Sequence, residues 1–464
     1  MKKNFQKLTS RAISLLLVAV LVLTVFAGCD TTSKSTLNNV ALSKFSIVYA
    51  EDLYGYNTRA AQYIQSEIKS RTGLDLPLLK DTDSTSGTYE IVVGDTNREI
   101  STHLSPVADS IQFNILAEGN RIAMEGEYFV IAAAAYFFVN TYIPQNDYNA
   151  QIPTEVTTHS PIIEEAKNYI MLIGDGMGVN QTLLFDVLTN ESEYGHGEDT
   201  FFGYYLPYSG YSRTDSLDGT TDSAAGGTAL SCGIKTHNYY VGQDYNHSPV
   251  QSITELAASR GMATAVMSTE VNTGATPSAF SAHADDRKDT PAITGSQAAL
   301  KKQYGTIIDC GYDYYTAKKV TSICDKVVKN LNTLSEDPDG FFMMYEEAYI
   351  DKHCHNNELD TTFNAIIRFN RVIAVVMEYA FYNPDTFVLI TADHETGGLT
   401  ADGGNFVYTS DDHTSANVLV FTYGYNAELF DGKTIENIQI PQTIASFFGV
   451  DDFGDQTTHK PLTK

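Results

Sequence analysis

Ile170-Met171-Leu172-Ile173-Gly174-Asp175 is a short, continuously apolar run that stops on a glycine and a carboxylate. Apolar at every position rather than at alternate ones, it reads as a strand buried on both faces of a parallel sheet. Phe387-Val388-Leu389-Ile390-Thr391-Ala392-Asp393-His394 repeats the pattern and ends in an Asp–His pair. Working outward, candidate strands at 169–174, 262–268, 341–346, 387–392 and 417–423 alternate with helical segments. That order predicts an α/β fold, a mostly parallel sheet flanked by helices, over residues 168–464. Open α/β sheets bind ligands outside the carboxyl ends of their strands, where Asp175, Asp393, His394 and Glu346 fall. A strand-terminal Asp equally caps the next helix, so each is ambiguous alone. Together with the clusters below they point to a metal-dependent hydrolase.

Asp351-Lys352-His353-Cys354-His355 sets Asp351 and His355 four residues apart, on one helix face, where both can grip one ion. Such a pair is also common on helix surfaces. His413, ahead of the strand at 417–423, is a candidate third ligand. Thr221-Asp222-Ser223-Ala224-Ala225-Gly226-Gly227-Thr228-Ala229 turns a loop into a helix of small residues, with Ser223 at its amino terminus. Free N–H groups and dipole suit that end to an oxyanion. A plain Ser or Asp cap explains the segment equally well. A serine there needs something to lower its pKa, and a bound metal does so.

The chain has 464 residues, which predicts two domains, with 43% hydrophobic and 19% charged residues as in ordinary globular proteins. A net charge of −27 excludes binding to a nucleic-acid backbone, which needs a basic surface. Any phosphate-ester site must then carry its own positive charge, from metals or a focused Arg.

The amino terminus places Lys2, Lys3, Lys7 and Arg11 before an apolar run from Ala12 to Gly28, the layout of a secretory signal over residues 1–28. The run is shorter than the ~20 residues that span a bilayer. It ends in Val25-Phe26-Ala27-Gly28-Cys29, which resembles a bacterial lipoprotein processing site. Cys29 would be acylated and start a polar tether, residues 29–42, holding the protein outside the cytoplasm on the cell membrane. Cys232, Cys310, Cys324 and Cys354 show no CxxC spacing, and Cys310 and Cys324 are as consistent with a pair as with free thiols.

Residues 43–146 read as a small α/β domain: a strand at 45–49, a helix at 58–72, a strand at 89–94, a capped helix start at 95–99, a hairpin about Glu118-Gly119-Asn120 and a buried helix at 129–143. The order of elements and VVGDTNRE resemble the small domain ahead of catalytic domains in bacterial glycoside hydrolases. A structural role is favoured over sugar binding. Residues 147–167, polar with Pro153 and Pro161, read as a linker. Tyr-rich stretches around 194–211 and 305–315 read as surface loops near a site, though packing explains the tyrosines equally well.

The segments GDGMG (174–178), TDSAAGGTA (221–229), ATPSAFSAHADDR (275–287), EEAYIDKHCH (346–355), TADHETGG (391–398) and DDHT (411–414) stand in the order seen in alkaline phosphatases, so residues 168 to about 450 resemble that family. The resemblance implies two zinc ions and one magnesium. Asp351, His355 and His413 would hold the first zinc. Asp393, His394 and Asp175 would hold the second, joined by Ser223 as the attacking alkoxide. Asp175 would bridge to magnesium, completed by Thr276 and Glu346. Arg287 would clamp two phosphoryl oxygens with its planar fork. The implied activity is hydrolysis of phosphate monoesters through a phosphoserine, in a homodimer unless the amino-terminal domain blocks that interface.

Members often carry Asp or His two residues before the magnesium-ligand threonine; here that position is Gly274, implying a lost hydrogen bond beside the magnesium. Lys352 resembles a lysine that some bacterial members place near the phosphate. The stretches Arg287 to Glu346 and His394 to His413 are short for the family, implying an open mouth that admits bulky esters. A phosphodiesterase or sulfatase of the same superfamily, a glycan-binding surface lipoprotein, and a metal-storage or phosphate-binding protein are the competing readings.

Overall fold

The computed structural model describes residues 35–83, 87–143, 149–188, 200–311, 320–402 and 405–464. The apolar leader, Cys29 and the start of the tether lie outside the described residues, as do 194–199 and 312–315 of the Tyr-rich stretches. No helix among the described residues is long and apolar enough to cross a membrane. The chain forms two compact units, Met1–Ile163 with Met377–Pro384, and Glu164–Val376 with Asp385–Lys464.

The first unit is built on a six-stranded sheet in the order Leu78–Lys80, Ser46–Tyr49, Glu90–Val93, Arg121–Glu125, Phe113–Glu118, Thr157–His159. The first four run parallel, and Phe113–Glu118 runs against both of its partners, Arg121–Glu125 and Thr157–His159. Tyr56–Thr72 is a helix whose Ala60, Ala61, Ile64 and Ile68 form a buried stripe at helical spacing. Ile131–Tyr142 is a second helix, buried through Ile131–Ala135, Phe138 and Val139. Glu90 is buried at the sheet and neutralised by Arg98 at 3.2 Å and Arg121 at 2.8 Å.

Several local expectations change in this unit. Thr36–Leu37 and Val40–Ala41, read as tether, pair with each other, and Thr36–Leu37 also pairs with Asn149–Ala150. Thr157–His159, read as linker, is an edge strand of the sheet. The expected helix start at 95–99 is a short 3-10 turn, Glu99–His103. Polar strands like these carry no apolar run, so only their partners reveal them.

The second unit holds an eight-stranded sheet in the order Ile307–Cys310, Ala263–Ser268, Phe341–Glu347, Asn168–Gly174, Thr386–Thr391, Val418–Tyr423, Tyr208–Arg213, Thr434–Glu436. Neighbours are parallel except at Val418–Tyr423, which runs against both of its partners. Every residue of Asn168–Gly174, Phe341–Glu347 and Thr386–Thr391 is buried, as their unbroken apolar runs required. Each buried Ile, Leu or Phe there contributes roughly 1.5–3 kcal/mol.

Tyr208–Arg213 and Ile307–Cys310 correct the loop reading of the Tyr-rich stretches. Both are strands, the first with only Gly210 and Ser212 buried, too small and polar to register as a hydrophobic pattern. Cys232, Cys310, Cys324 and Cys354 are all free thiols.

Strand register brings the chemistry to one level. Ile173 lies opposite Glu346 on one side and Thr391 on the other, and Ser268 lies opposite Glu346 in turn. Asp175 and Asp393 follow two residues beyond that row, at the carboxyl ends of adjacent strands.

Candidate metal centre

Asp175 leaves the central strand into a turn whose Gly176 has φ +69°, with the Gly176 N–H donating to Asp393 Oδ1 at 3.3 Å. A Cβ on Gly176 would sit 2.8 Å from Asp351 Cα, so this turn brings the Tyr349–His355 helix against the strand ends. The third contributor is the helix Ser223–Cys232, capped by Asp222, whose side chain accepts from the Ala225 N–H at 2.9 Å. Asp222 is thus the cap, and Ser223 opens the helix with its hydroxyl free for other work. The small residues have a packing reason: a Cβ on Gly226 would lie 3.1 Å from the Asp393 carbonyl oxygen, and one on Gly227 would lie 3.0 Å from Ala279 Cβ.

Two groups of donors result. In the inner one, His394 Nε2 lies 3.5 Å from Asp175 Oδ1, 3.3 Å from Asp393 Oδ2 and 3.1 Å from Ser223 Oγ. In the outer one, Asp351 Oδ1 lies 3.4 Å from His355 Nε2 and 3.6 Å from His413 Nε2, and the two imidazole Nε2 atoms are 3.0 Å apart. Donors bound at ~2.0–2.1 Å around a tetrahedral zinc stand about 3.4 Å from one another, so both spacings suit such an ion. The His394 and His413 rings stack at 3.7 Å and join the groups.

The protons of these rings are already committed. His355 Nδ1 donates to the Asp411 carbonyl at 2.6 Å, and His413 Nδ1 to the Thr221 carbonyl at 2.8 Å. With each Nδ1 bonded to a carbonyl, the two Nε2 atoms face each other across 3.0 Å, an arrangement suited to holding a cation. Thr396 Oγ1 donates to Asp351 Oδ1 at 2.5 Å and stands 3.2 Å from His394 Nδ1, tying inner to outer group.

Electrostatics favours the same conclusion. Burial, with the charges of Asp393, Asp351 and Glu346, pushes the Asp175 carboxyl well above its ordinary value. Burial and Asp351 push Asp393 up to about 6, and burial foremost pushes Glu346 up to about 7. Burial holds His394 well below its usual value. Asp175 Oδ1, Asp393 Oδ2, Glu346 Oε1 and Thr276 Oγ1 are all buried without a hydrogen-bond partner. Buried carboxylates and orphaned oxygens cost free energy unless something positive satisfies them, and oxygen donors of this kind suit magnesium. The residues present therefore fit two nitrogen-and-oxygen metal positions beside an oxygen-rich one.

Arg287 reaches the cap of the Ser223–Cys232 helix, its Nη1 donating to Asp222 Oδ2 at 3.0 Å. Its backbone N–H donates to the Tyr239 carbonyl at 2.8 Å, and the Tyr239 N–H reaches both Asp222 oxygens at 3.2 Å. Asp222 thus caps the Ser223 helix and orients Arg287 at once, a role that reading it as a plain cap left out. Glu395 was also missed: it is buried, and its carboxylate gathers Gln181 Nε2 at 2.8 Å and the Leu399 N–H at 3.1 Å, bracing the loop after His394. A buried acid directly after an Asp–His pair was the available signal.

Comparison with known proteins agrees. The family profile described as Alkaline phosphatase matches residues 166–313 and 309–411. Alkaline phosphatase 3 of Bacillus subtilis is 29% identical over 296 residues, covering 52% of this chain and 64% of the relative. Alkaline phosphatase 4 of the same organism is 29% identical, covering 51% and 63%. The matched region thus spans under two thirds of either relative's length. The solved alkaline phosphatase from the Antarctic bacterium TAB5 superposes with a TM-score of 0.53 at 25% identity, covering 62% of this chain and 99% of that one. From the sheet, its carboxyl-end donors and these matches, the chain belongs to the alkaline phosphatase family.

Proposed function

We propose that this protein is a metal-dependent phosphate monoester hydrolase that works through a phosphoserine at Ser223. The observation that carries the reading is the pair of Nε2 atoms of His355 and His413, 3.0 Å apart, linked through the stacked His413 and His394 rings to the Ser223 hydroxyl, which lies 3.1 Å from His394 Nε2. Asp351, His355 and His413 would hold one zinc, Asp175, Asp393 and His394 the second, and Asp175, Thr276 and Glu346 a magnesium. When bound, these ions supply the Lewis-acid charge that lowers the pKa of Ser223 and of water and steadies the entering and leaving oxygens.

The chain's own residues do the rest. Ser223 Oγ, at a helix amino terminus, attacks phosphorus as the ester oxygen departs, and the positive end of the helix dipole favours the growing negative charge. Arg287, oriented by Asp222, offers a planar fork to two phosphoryl oxygens, the pattern a monoester dianion presents. Water then cleaves the phosphoserine and restores the Ser223 hydroxyl.

The lipoprotein layout of residues 1–29 supports an extracytoplasmic protein anchored through Cys29. A homodimer belongs to the same reading. Hydrolysis of p-nitrophenyl phosphate and its bis-ester, side by side with zinc- and magnesium-loaded protein, tests the activity. Strong preference for the monoester is expected. Preference for the diester would move the chain to a phosphodiesterase, and turnover of neither would leave glycan binding by the first unit as the alternative.

A further inference from the structure

Glu270 leaves the Ala263–Ser268 strand two residues past its end, beside the donor groups yet outside them. Its backbone N–H donates to Ser268 Oγ at 2.9 Å, and that hydroxyl bonds Glu346 Oε2, so its main chain is tied to the oxygen-rich position. Its side chain folds back over Gly274, and its carboxylate pairs with the Lys352 ammonium. Lys352 follows Asp351 on its helix, and Lys352 and Asp175 each feel the other's charge.

Gly274 explains the arrangement. It is the cap of Ala275–Ala279 with φ −59°, backbone that any residue adopts, so no conformational demand selects glycine there. What glycine provides is room: a Cβ at 274 would run into Glu270 Oε1, Cδ and Cγ. The Glu270 carboxylate fills the volume that a side chain at 274 would enter.

We propose that Glu270 is a positioning residue that takes over the place vacated at Gly274, anchoring Lys352 at the rim and moderating its hold on the phosphoryl group. The proposal rests on the phosphatase reading above. Paired, the ammonium is held toward Glu270 and away from the phosphoryl position, so it attracts a phosphate dianion weakly. Unpaired, it binds phosphate more tightly and slows its departure. The glycine thus implies no missing hydrogen-bond partner beside the magnesium position, since the anion arrives from 270.

The test measures inorganic phosphate binding by calorimetry, and KM and kcat for p-nitrophenyl phosphate, on the zinc- and magnesium-loaded full chain. Glu270→Gln should bind phosphate on the order of fivefold more tightly, with KM falling in step. In a Lys352→Met background the same change should have no effect. Glu270→Ala combined with Gly274→Asp should return phosphate affinity to that of the unaltered protein, because a carboxylate re-enters the same volume. Unchanged affinity in Glu270→Gln, or an effect that persists without Lys352, overturns the proposal while leaving the phosphatase reading intact. If Glu270→Gln fails to fold, the double variant decides: lack of restoration overturns it. Absence of phosphate binding and turnover in the unaltered protein overturns both.

Discussion

The inner and outer donor groups use the same side-chain types at different depths. Asp393 and His394 are fully buried and Asp175 is 5% exposed, whereas the side chain of His355 is 35% exposed and Asp412 beside it is exposed. Depth separates their chemistry. Inner carboxyls cannot all ionise without a counter-charge, so an ion there belongs to the folded state. The outer group meets water, so an ion held there would exchange with solvent more readily.

The largest expected effect tests whether the inner group holds the nucleophile. Ser223→Ala should abolish labelling of the protein by phosphate and lower turnover by about a thousandfold or more, with fold and metal content kept. Near-unaltered turnover would end the covalent mechanism. Next comes retention of metal under chelator, followed by elemental analysis. His355→Ala should lose about one equivalent of zinc that excess zinc restores, whereas Asp393→Ala should stay inactive at any zinc concentration. Simultaneous loss of both ions from both variants would break the distinction between the groups.

The smallest effect is on stability against pH in metal-free protein. Below about pH 4 the inner carboxyls are protonated whether the chain is folded or not. As pH rises the unfolded chain ionises first, while burial keeps Asp393 neutral to about 6 and Glu346 to about 7. Stability is therefore present at low pH and lost across that window. His394, held neutral by burial, acts oppositely below its ordinary value, one group against Asp175, Asp393 and Glu346. Thermal unfolding of metal-free protein should fall by several degrees between pH 5 and 7.5, and added zinc and magnesium should remove the fall. An unchanged melting temperature would mean that the inner group is not strained when empty.

What sequence could reveal follows from burial. Asn168–Gly174, Phe341–Glu347 and Thr386–Thr391 are wrapped on both faces, so their composition alone marks them. Tyr208–Arg213 owes its place to pairing with Val418–Tyr423, and no residue of its own advertises that. The end of the Leu359–Tyr382 helix clusters with the first unit, where Glu378 meets Arg59 at 2.6 Å and 2.7 Å, a separation in sequence that no local pattern bridges. In the site, the strand-end acids, the Asp351–His355 pair and His413 ahead of its strand were legible, while Thr276 and Arg287 came from the family resemblance. Thr396, the dual role of Asp222 and the reach of Glu270 depend on hydrogen bonds and packing that only the folded chain creates.

The glycine pair Gly226–Gly227 in the Ser223 helix sets a limit on how this protein can change. With Gly226 against the Asp393 backbone and Gly227 against Ala279, the helix has no clearance to tilt or slide. The aim of Ser223 is therefore a property of main chain rather than of any adjustable side chain. Laboratory selection for new ester specificities should leave this helix untouched and accumulate its substitutions at the rim instead, around Tyr239 and Lys352.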